Sequence, residues 1–215
     1  MANRKRLGKI LIYLLILSLC VIGLYWFGNG KSLTAKMAFR RLEKRHMVGP
    51  AEIMEILDFE EDRYDHLLIG RSQYGYTFFE WNDQNPDDGV LNYQPKQEGA
   101  TLYCTKNTYS AMDYDQSWLP IFAFCDHYAA RAKLTLTTNM DGEAIEYVME
   151  TQRSEAGYFL FRWETGELPR GADFWQVQQL ITGQYSSYVF DHNATATLEL
   201  FDTNGQLTET HHFTK

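Results

Sequence analysis

The chain contains 215 residues, of which 45% are hydrophobic and 15% aromatic, and its formal net charge at pH 7 is −8. This length and aromatic content favour one large folded domain or two small ones, and they argue against a disordered linker. Residues 46–215 hold 27 of the 28 acidic residues but only 10 of the 20 basic ones, and this net charge of −17 makes nucleic acid a poor partner.

The N-terminus has the pattern of a membrane anchor. Basic residues crowd positions 4–9, and an uncharged apolar run, Ile10–Phe27, follows directly. As a helix this run would span roughly 27 Å, close to the ~30 Å hydrocarbon core of a bilayer. Its last residues are aromatic, which suits the lipid–water interface. We therefore expect a cytoplasmic basic head, residues 1–9, and a transmembrane helix, residues 10–27, that binds the lipid bilayer.

Three other interpretations of the apolar run stay open. A cleaved secretory signal is one, with Gly28 and Gly30 near the cleavage site, although such signals usually have only ~7–15 apolar residues. A lipoprotein would use Cys20, but the bulky Leu19 before it departs from the lipobox, which the segment resembles only weakly. A buried core helix is the third, because the run has no polar face.

The direction of insertion is harder to predict, because basic residues flank the run on both sides. Large domains translocate largely regardless of charge, whereas a short basic head is hard to translocate. We expect a single-pass signal-anchor protein of the cell membrane, with a cytoplasmic N-terminus and an extracytoplasmic body. The basic residues beyond the run are Lys31, Lys36, Arg40, Arg41, Lys44 and Arg45.

A juxtamembrane helical neck is predicted over residues 28–57. Lys31–Val48 has apolar residues on one side and basic residues elsewhere, which favours a helix, and Gly49 suits the C′ position that ends it. Pro50 then suits the first turn of a second short helix, Pro50–Leu57.

The pattern then changes to short aromatic and β-branched runs, which predict an aromatic-rich β region over residues 58–128. Residues 82–89 are expected to form an acidic loop, and residues 106–117 a surface connection. The predicted strands are Tyr64–Gly70, Tyr74–Trp81, Val90–Tyr93, Ala100–Thr105 and Leu119–Cys125.

The last third, residues 129–215, is predicted to be an antiparallel β-sandwich-like region, with Leu134, Leu136, Leu198 and Leu200 facing inward. Its predicted strands are Lys133–Thr137, Ala144–Glu150, Tyr158–Trp163, Tyr185–Phe190, Thr195–Phe201 and Gln206–His212, with a helix at Phe174–Ile181. This succession of short strands is similar in architecture to immunoglobulin-like modules of bacterial surface proteins. The expected fold class is α+β, mostly β: an N-terminal transmembrane helix and helical neck followed by an antiparallel β-rich body.

The cysteines leave two interpretations open. Cys20 falls in the expected membrane segment, whereas Cys104 and Cys125 are about 20 residues apart and can pair outside the cell, which would stabilise the fold by roughly 3 kcal/mol. Alternatively, both are separately buried thiols. The sequence has no CxxC motif and no Cys/His zinc spacing.

Two patterns resemble metal or catalytic sites. Asp–His dipeptides occur at positions 65–66, 126–127 and 191–192, but neighbouring residues of a strand point to opposite faces and cannot easily share one site. The acidic loop resembles a calcium loop, but Pro86 interrupts it and Gln94 occupies the position of the bidentate Glu, so an acidic turn is the simpler interpretation. Its oxygen-bearing residues are Asp83, Asn85, Asp87 and Asp88.

No catalytic, cofactor-binding or metal-binding residue is therefore predicted, and no cofactor is expected. A ligand groove, if the body has one, is expected beside Tyr74, Tyr76 and Trp81, where exposed rings would suit a protein or carbohydrate partner at the cell surface. The sequence thus favours a binding, sensing or structural module at the cell envelope. The alternative is a membrane-tethered hydrolase acting on an envelope or extracellular substrate; its candidate carboxylates are Glu80, Asp113 and Asp115.

Overall fold

The computed structural model describes residues 2–28, 32, 34–59, 66–83, 86–105, 118–140, 143–164, 181 and 194–214. Two predicted elements, the helix Phe174–Ile181 and the strand Tyr185–Phe190, lie outside these residues except for Ile181, as does the connection 106–117.

The first helix, α1 (Ala2–Gly28), confirms that the N-terminal apolar run is helical. Its large apolar side chains from Ile10 to Leu24 are between 51% and 73% exposed. Across the part of the chain that the structure describes, no helix combines the length and apolarity needed to cross a membrane.

A second helix, α2 (Ala35–His46), forms the neck and is shorter than the predicted Lys31–Val48. It begins after Thr34, whose hydroxyl accepts a backbone N–H of the first turn at 3.2 Å. It ends at Met47, which adopts the left-handed conformation (φ 57°) and whose N–H bonds back to carbonyls of the last turn. The assignment of Gly49 to the C′ position is therefore wrong, because the left-handed turn comes two residues earlier.

The predicted second neck helix, Pro50–Leu57, is also wrong, because this segment forms a strand, β1 (Glu52–Asp58). It pairs antiparallel with β2 (His66–Arg71). Its apolar residues serve two cores: Ile53 packs with α2, and Leu57 packs in the cluster on the other side of the sheet. Tertiary pairing thus overrides a local pattern that had suggested one helical face.

The described strands form three antiparallel sheets, which confirms a mostly β body. Sheet A has the order β1-β2-β3-β4, sheet B the order β5-β6-β9, and sheet C the order β11-β10-β7-β8. Every strand predicted within the described residues is confirmed, with ends shifted by a few residues. The further strands are β3 (Gly75–Trp81), β4 (Val90–Pro95), β5 (Ala100–Cys104), β6 (Trp118–Cys125), β7 (Arg131–Met140), β8 (Glu143–Gln152), β9 (Phe159–Glu164), β10 (Thr195–Phe201) and β11 (Leu207–Phe213).

The body is layered in the order α2, sheet A, sheet B, sheet C. Phe39 of α2 packs with Leu68 and Phe79 on one face of sheet A, and alternate residues of the same strands pack on sheet B. The other face of sheet B meets sheet C in the largest core. Leu134, Leu136, Leu198 and Leu200 face inward there, each at most 1% exposed, as predicted.

The B–C sandwich is not built from the last third alone. Its sheet B takes β5 and β6 from the region before residue 129 and β9 from the region after it. One core therefore crosses the predicted boundary between residues 58–128 and 129–215.

Candidate functional site

An open groove of about 520 Å³ lies where the β2–β3 hairpin meets the segment between α2 and β1. Tyr74 lies beside it with 72% of its surface exposed, although tyrosine side chains are usually at least half-buried. The groove is lined by Gly49, Pro50, Glu52, Arg71, Ser72, Gln73 and Tyr74.

The hairpin turn itself holds Tyr74 outward. The backbone N–H of Ser72 donates to the carbonyl of Gly75 at 2.8 Å, and the Ser72 hydroxyl accepts from the Tyr74 N–H at 3.3 Å. A Cβ at position 75 would collide with the carbonyl oxygen of Gln94, so glycine is required for this close approach of two strands. These contacts define the turn conformation that leaves the ring of Tyr74 exposed.

Charge in the groove is balanced. Arg71 and Glu52 face each other across the β1–β2 ladder, and Nη2 of the arginine lies 3.3 Å from Oε2 of the glutamate. Among the described residues, Glu52 is the one carboxylate that lines the groove, whereas glycoside hydrolysis uses two. An aromatic face beside amide and guanidinium donors suits the binding of a sugar or a peptide better than hydrolysis.

The structure separates the three aromatic residues predicted to mark a groove. Tyr74 lines it, but Tyr76 stacks on Phe124 at a centroid distance of 3.8 Å in the A–B core. Trp81 stacks on Phe79 at 5.2 Å beneath α2. Of the three, Tyr74 alone lines this groove, whereas Tyr76 and Trp81 point into the layers on either side of sheet A.

The acidic loop turns its carboxylates to separate partners. Asp87 accepts from Arg41 Nη2 at 2.6 Å and from the Ser32 backbone N–H at 2.9 Å. For Asp83, the partner is instead His66: Asp83 Oδ1 lies 3.0 Å from His66 Nε2. Asn85 lies outside the described residues. Because no group of three metal-binding side chains occurs among the residues that are described, the calcium interpretation gains no support.

His66, from the first Asp–His dipeptide, is paired with other acids. Its Nδ1 lies 2.7 Å from Asp58 Oδ1, and its ring stacks on Trp81 at 5.0 Å. Burial lowers the pKa of His66, but the hydrogen bond to Asp58 and the charge of Asp83 outweigh burial, so the pKa is raised above its usual value. Its sequence neighbour Asp65 lies outside the described residues.

The two residues of the second dipeptide, Asp126 and His127, have different partners. Asp126 pairs with Lys96 Nζ at 2.6 Å, and this hydrogen bond lowers the pKa of the Asp126 carboxyl. His127 Nδ1 instead lies 2.8 Å from Glu209, whose second oxygen is 3.0 Å from His211 Nε2. The third dipeptide, at 191–192, lies outside the described residues. In the one dipeptide whose two residues are both described, Asp126 and His127 therefore pair with different partners.

The cysteine disulfide is excluded by strand register. Cys104 is opposite Ile121, and Cys125 is opposite Ala100, so the two positions are four steps, about 13 Å, apart along β6. A disulfide needs Cα atoms roughly 4.4–6.8 Å apart. Both thiols are free, and burial raises the pKa of Cys104 and raises that of Cys125 to about 12, so neither is an activated nucleophile.

Of the hydrolase candidates, Glu80 is described and does not line the groove. Glu80 is fully buried, with Asn92 Nδ2 3.5 Å from its Oε1. Asp113 and Asp115 lie outside the described residues. Sequence reasoning also missed Arg71 and Gln73 as groove residues; the signal was available, since both fall between the predicted strands Tyr64–Gly70 and Tyr74–Trp81.

In comparisons with known proteins, no family model, no curated protein and no solved structure matches this chain. Its role is therefore inferred from its own residues, contacts and charges.

Proposed function

We propose that the chain is a single-pass membrane protein whose N-terminus is cytoplasmic and whose extracytoplasmic body is a binding, sensing or structural module of the cell envelope. The observation that carries the proposal is the exposure of the apolar side chains of α1 from Ile10 to Leu24. In sequence the apolar run continues through Tyr25, Trp26 and Phe27.

The cost of exposing this helix to water supports insertion. A helix that is apolar on every side is stable only when its whole surface is buried, in a protein core or in lipid. Each large apolar side chain left in water forgoes about 1.5–3 kcal/mol of burial energy. A bilayer satisfies all of these side chains at once, and a helix satisfies its own backbone hydrogen bonds.

The basic residues next to α1 support the direction of insertion. Arg4, Lys5, Arg6 and Lys9 are adjacent to the apolar run, where the positive-inside rule counts most strongly. The acidic body beyond it translocates regardless of its charge.

The groove beside Tyr74 supports a binding role for the body. It offers an exposed aromatic ring, the Gln73 amide and the Arg71 guanidinium, a combination that suits a protein or carbohydrate partner. The hydrolase alternative lacks comparable support, because one carboxylate, Glu52, lines this groove within the described structure.

Membrane extraction tests the anchoring. We expect the full chain to stay in the membrane pellet after alkaline carbonate washing and to enter solution only with detergent. Leu17→Arg should shift it toward the soluble fraction, because a charge at a helix centre costs about 2.5–3.5 kcal/mol. Val148→Arg is the matched control, since Val148 is 55% exposed on sheet C. Release of the wild-type chain by carbonate alone would refute the proposal.

Photo-crosslinking tests the groove. A benzophenone amino acid at Tyr74 should give a defined adduct in intact cells, and Gln73→Ala in the same chain should weaken it. The same probe at Tyr128, a tyrosine that is 69% exposed, is the matched control. Equal adducts from both positions would contradict a binding role for this groove.

A further inference from the structure

We propose that the outer face of α2 rests on the anionic headgroups of the bilayer that holds α1, and that this contact fixes how the body faces the membrane. The inference rests on the proposed anchoring and adds an electrostatic contact to it. The partner is the charged lipid surface itself.

The two faces of α2 differ completely. Ala38, Phe39 and Leu42 are buried against sheet A, and Glu43, the one acidic residue in the sequence of α2, is also buried at 3% exposure. The outer face of α2 therefore presents none of the helix's own carboxylates. That face carries Lys36, Arg40, Lys44 and Arg45, which are all exposed, flanked by the half-buried Arg41.

Apolar residues lie among these charges. Met37 is 38% exposed on the outer side of α2, and Met47 is 93% exposed at its end. Basic side chains reach lipid phosphates while their aliphatic stems and neighbouring apolar side chains cover the interface. This is the composition of an amphipathic helix that lies on a membrane, here with its other face already occupied by a protein core.

The chain connectivity places α2 next to the bilayer. The backbone N–H of Ser32 donates to both carboxylate oxygens of Asp87, at 2.9 and 3.1 Å, and Arg41 of α2 pairs with the same carboxylate. The chain therefore enters the body beside α2. Ser32 is four positions after Gly28, the end of α1, and these four Cα–Cα steps span at most about 14 Å. The headgroup layer itself fills roughly 5–7 Å of that distance.

The charge distribution then selects one orientation. Residues 46–215 carry a net charge of −17, which an anionic surface repels, whereas the α2 face is attracted to it. The distance that remains between the headgroups and α2 is comparable to a Debye length of ~8 Å at physiological salt. The attraction of the α2 face and the repulsion of the acidic body therefore both act across it. With α2 on the lipid, the layer order places sheet C farthest from the membrane.

Methionine oxidation measures this contact with natural probes. The full chain is reconstituted into nanodiscs of phosphatidylcholine alone or mixed with phosphatidylglycerol, treated with hydrogen peroxide and analysed by mass spectrometry. We expect Met37 and Met47 to oxidise several-fold more slowly on the anionic discs, with protection lost in high salt. Met149, packed in the B–C core at the other end of the stack, should oxidise at the same rate on both.

Matched charge variants separate the α2 face from overall charge. The test variant combines three substitutions: Lys36→Gln, Lys44→Gln and Arg45→Gln. It keeps the Arg40–Glu43 and Arg41–Asp87 ion pairs intact. Each lost charge should weaken the binding of α2 to the anionic lipid about fivefold. This triple variant should abolish the protection of Met37 and Met47 from oxidation on the anionic discs. The control triple variant removes three charges elsewhere on the body: Lys96→Gln, Arg131→Gln and Lys133→Gln. It should keep the protection.

Oxidation rates that are equal on the two lipids would overturn the inference while leaving the anchoring intact. Protection that depends on protein concentration rather than on lipid charge would also overturn it, since the partner would then be the acidic surface of a second copy. Failure of the chain to incorporate into either disc refutes the anchoring instead.

Discussion

At the scale of single residues, polar groups of the body are positioned by partners both within and beyond their own element. Glu43 of α2 accepts from the Ala51 backbone N–H at 2.8 Å and from Arg40 Nη1 at 2.6 Å, and Arg40 also donates to the Ala51 carbonyl at 2.7 Å. One buried carboxylate thus joins α2 to the start of β1. Sequence spacing suggests a helical pair of Arg40 with Glu43, but it gives no signal for Ala51.

Removing this carboxylate tests the connection. Glu43→Ala leaves the Ala51 N–H without its buried acceptor and should lower the free energy of unfolding by about 2–3 kcal/mol. Glu43→Gln keeps an acceptor oxygen and should lose less. Urea titration of the purified chain measures both, with Glu146→Ala, at an exposed position of β8, as the control. Equal stability of Glu43→Ala and the control would contradict the assigned role.

His66 makes stability depend on pH. Because its pKa is raised in the folded state, its contribution is fully present below the unfolded value of about 6.5 and is lost as pH rises through the folded pKa. The wild-type chain should therefore lose more stability than His66→Gln between about pH 6 and pH 8. Asp58→Asn should reduce this difference, because it removes the hydrogen bond that raises the pKa. Parallel pH profiles of wild type and His66→Gln would contradict the argument.

At the scale of elements, the alternation of inward-facing and outward-facing residues along a strand was predictable where one face of the sheet is buried and the other is exposed. Leu134 and Leu136 face sheet B, whereas the alternate residues Lys133 and Thr135 are only half-buried. The inner strands of sheets A and B, such as β3 and β6, are buried on both faces and therefore have nearly continuous apolar sequences. For that reason the positions of Tyr76 and Trp81 could not be predicted, and neither could the pairing that makes β1 a strand.

Two substitutions in sheet C test its inner and outer faces. Leu134→Ala opens a cavity in the B–C core and should cost about 3 kcal/mol of unfolding free energy. Val148→Ala, on the exposed face of neighbouring β8, should cost less than about 0.5 kcal/mol. Urea titration of the two variants compares them directly. Similar losses would mean that the two faces of the sheet are not buried differently.

At the scale of the whole molecule, sequence and structure together describe a bipolar chain. Its first 45 residues hold ten basic residues against Glu43 alone, and the remainder is strongly acidic. Composition alone predicted this division. The stacking of α2 and three sheets could not be predicted, because sheet order depends on contacts between strands far apart in sequence, such as β6 with β9.

Impermeant thiol labelling in intact cells tests the membrane orientation most directly. Cysteine is introduced at Thr203, an exposed turn position after β10, or at Ala2, at the start of α1. The parent chain gives the background, which should be low because Cys104 is buried, the Cys125 thiol is poorly ionised and Cys20 lies within the proposed membrane span. We predict labelling of Thr203→Cys in intact cells and of Ala2→Cys only after lysis. Labelling of Thr203→Cys only after lysis would contradict an extracytoplasmic body.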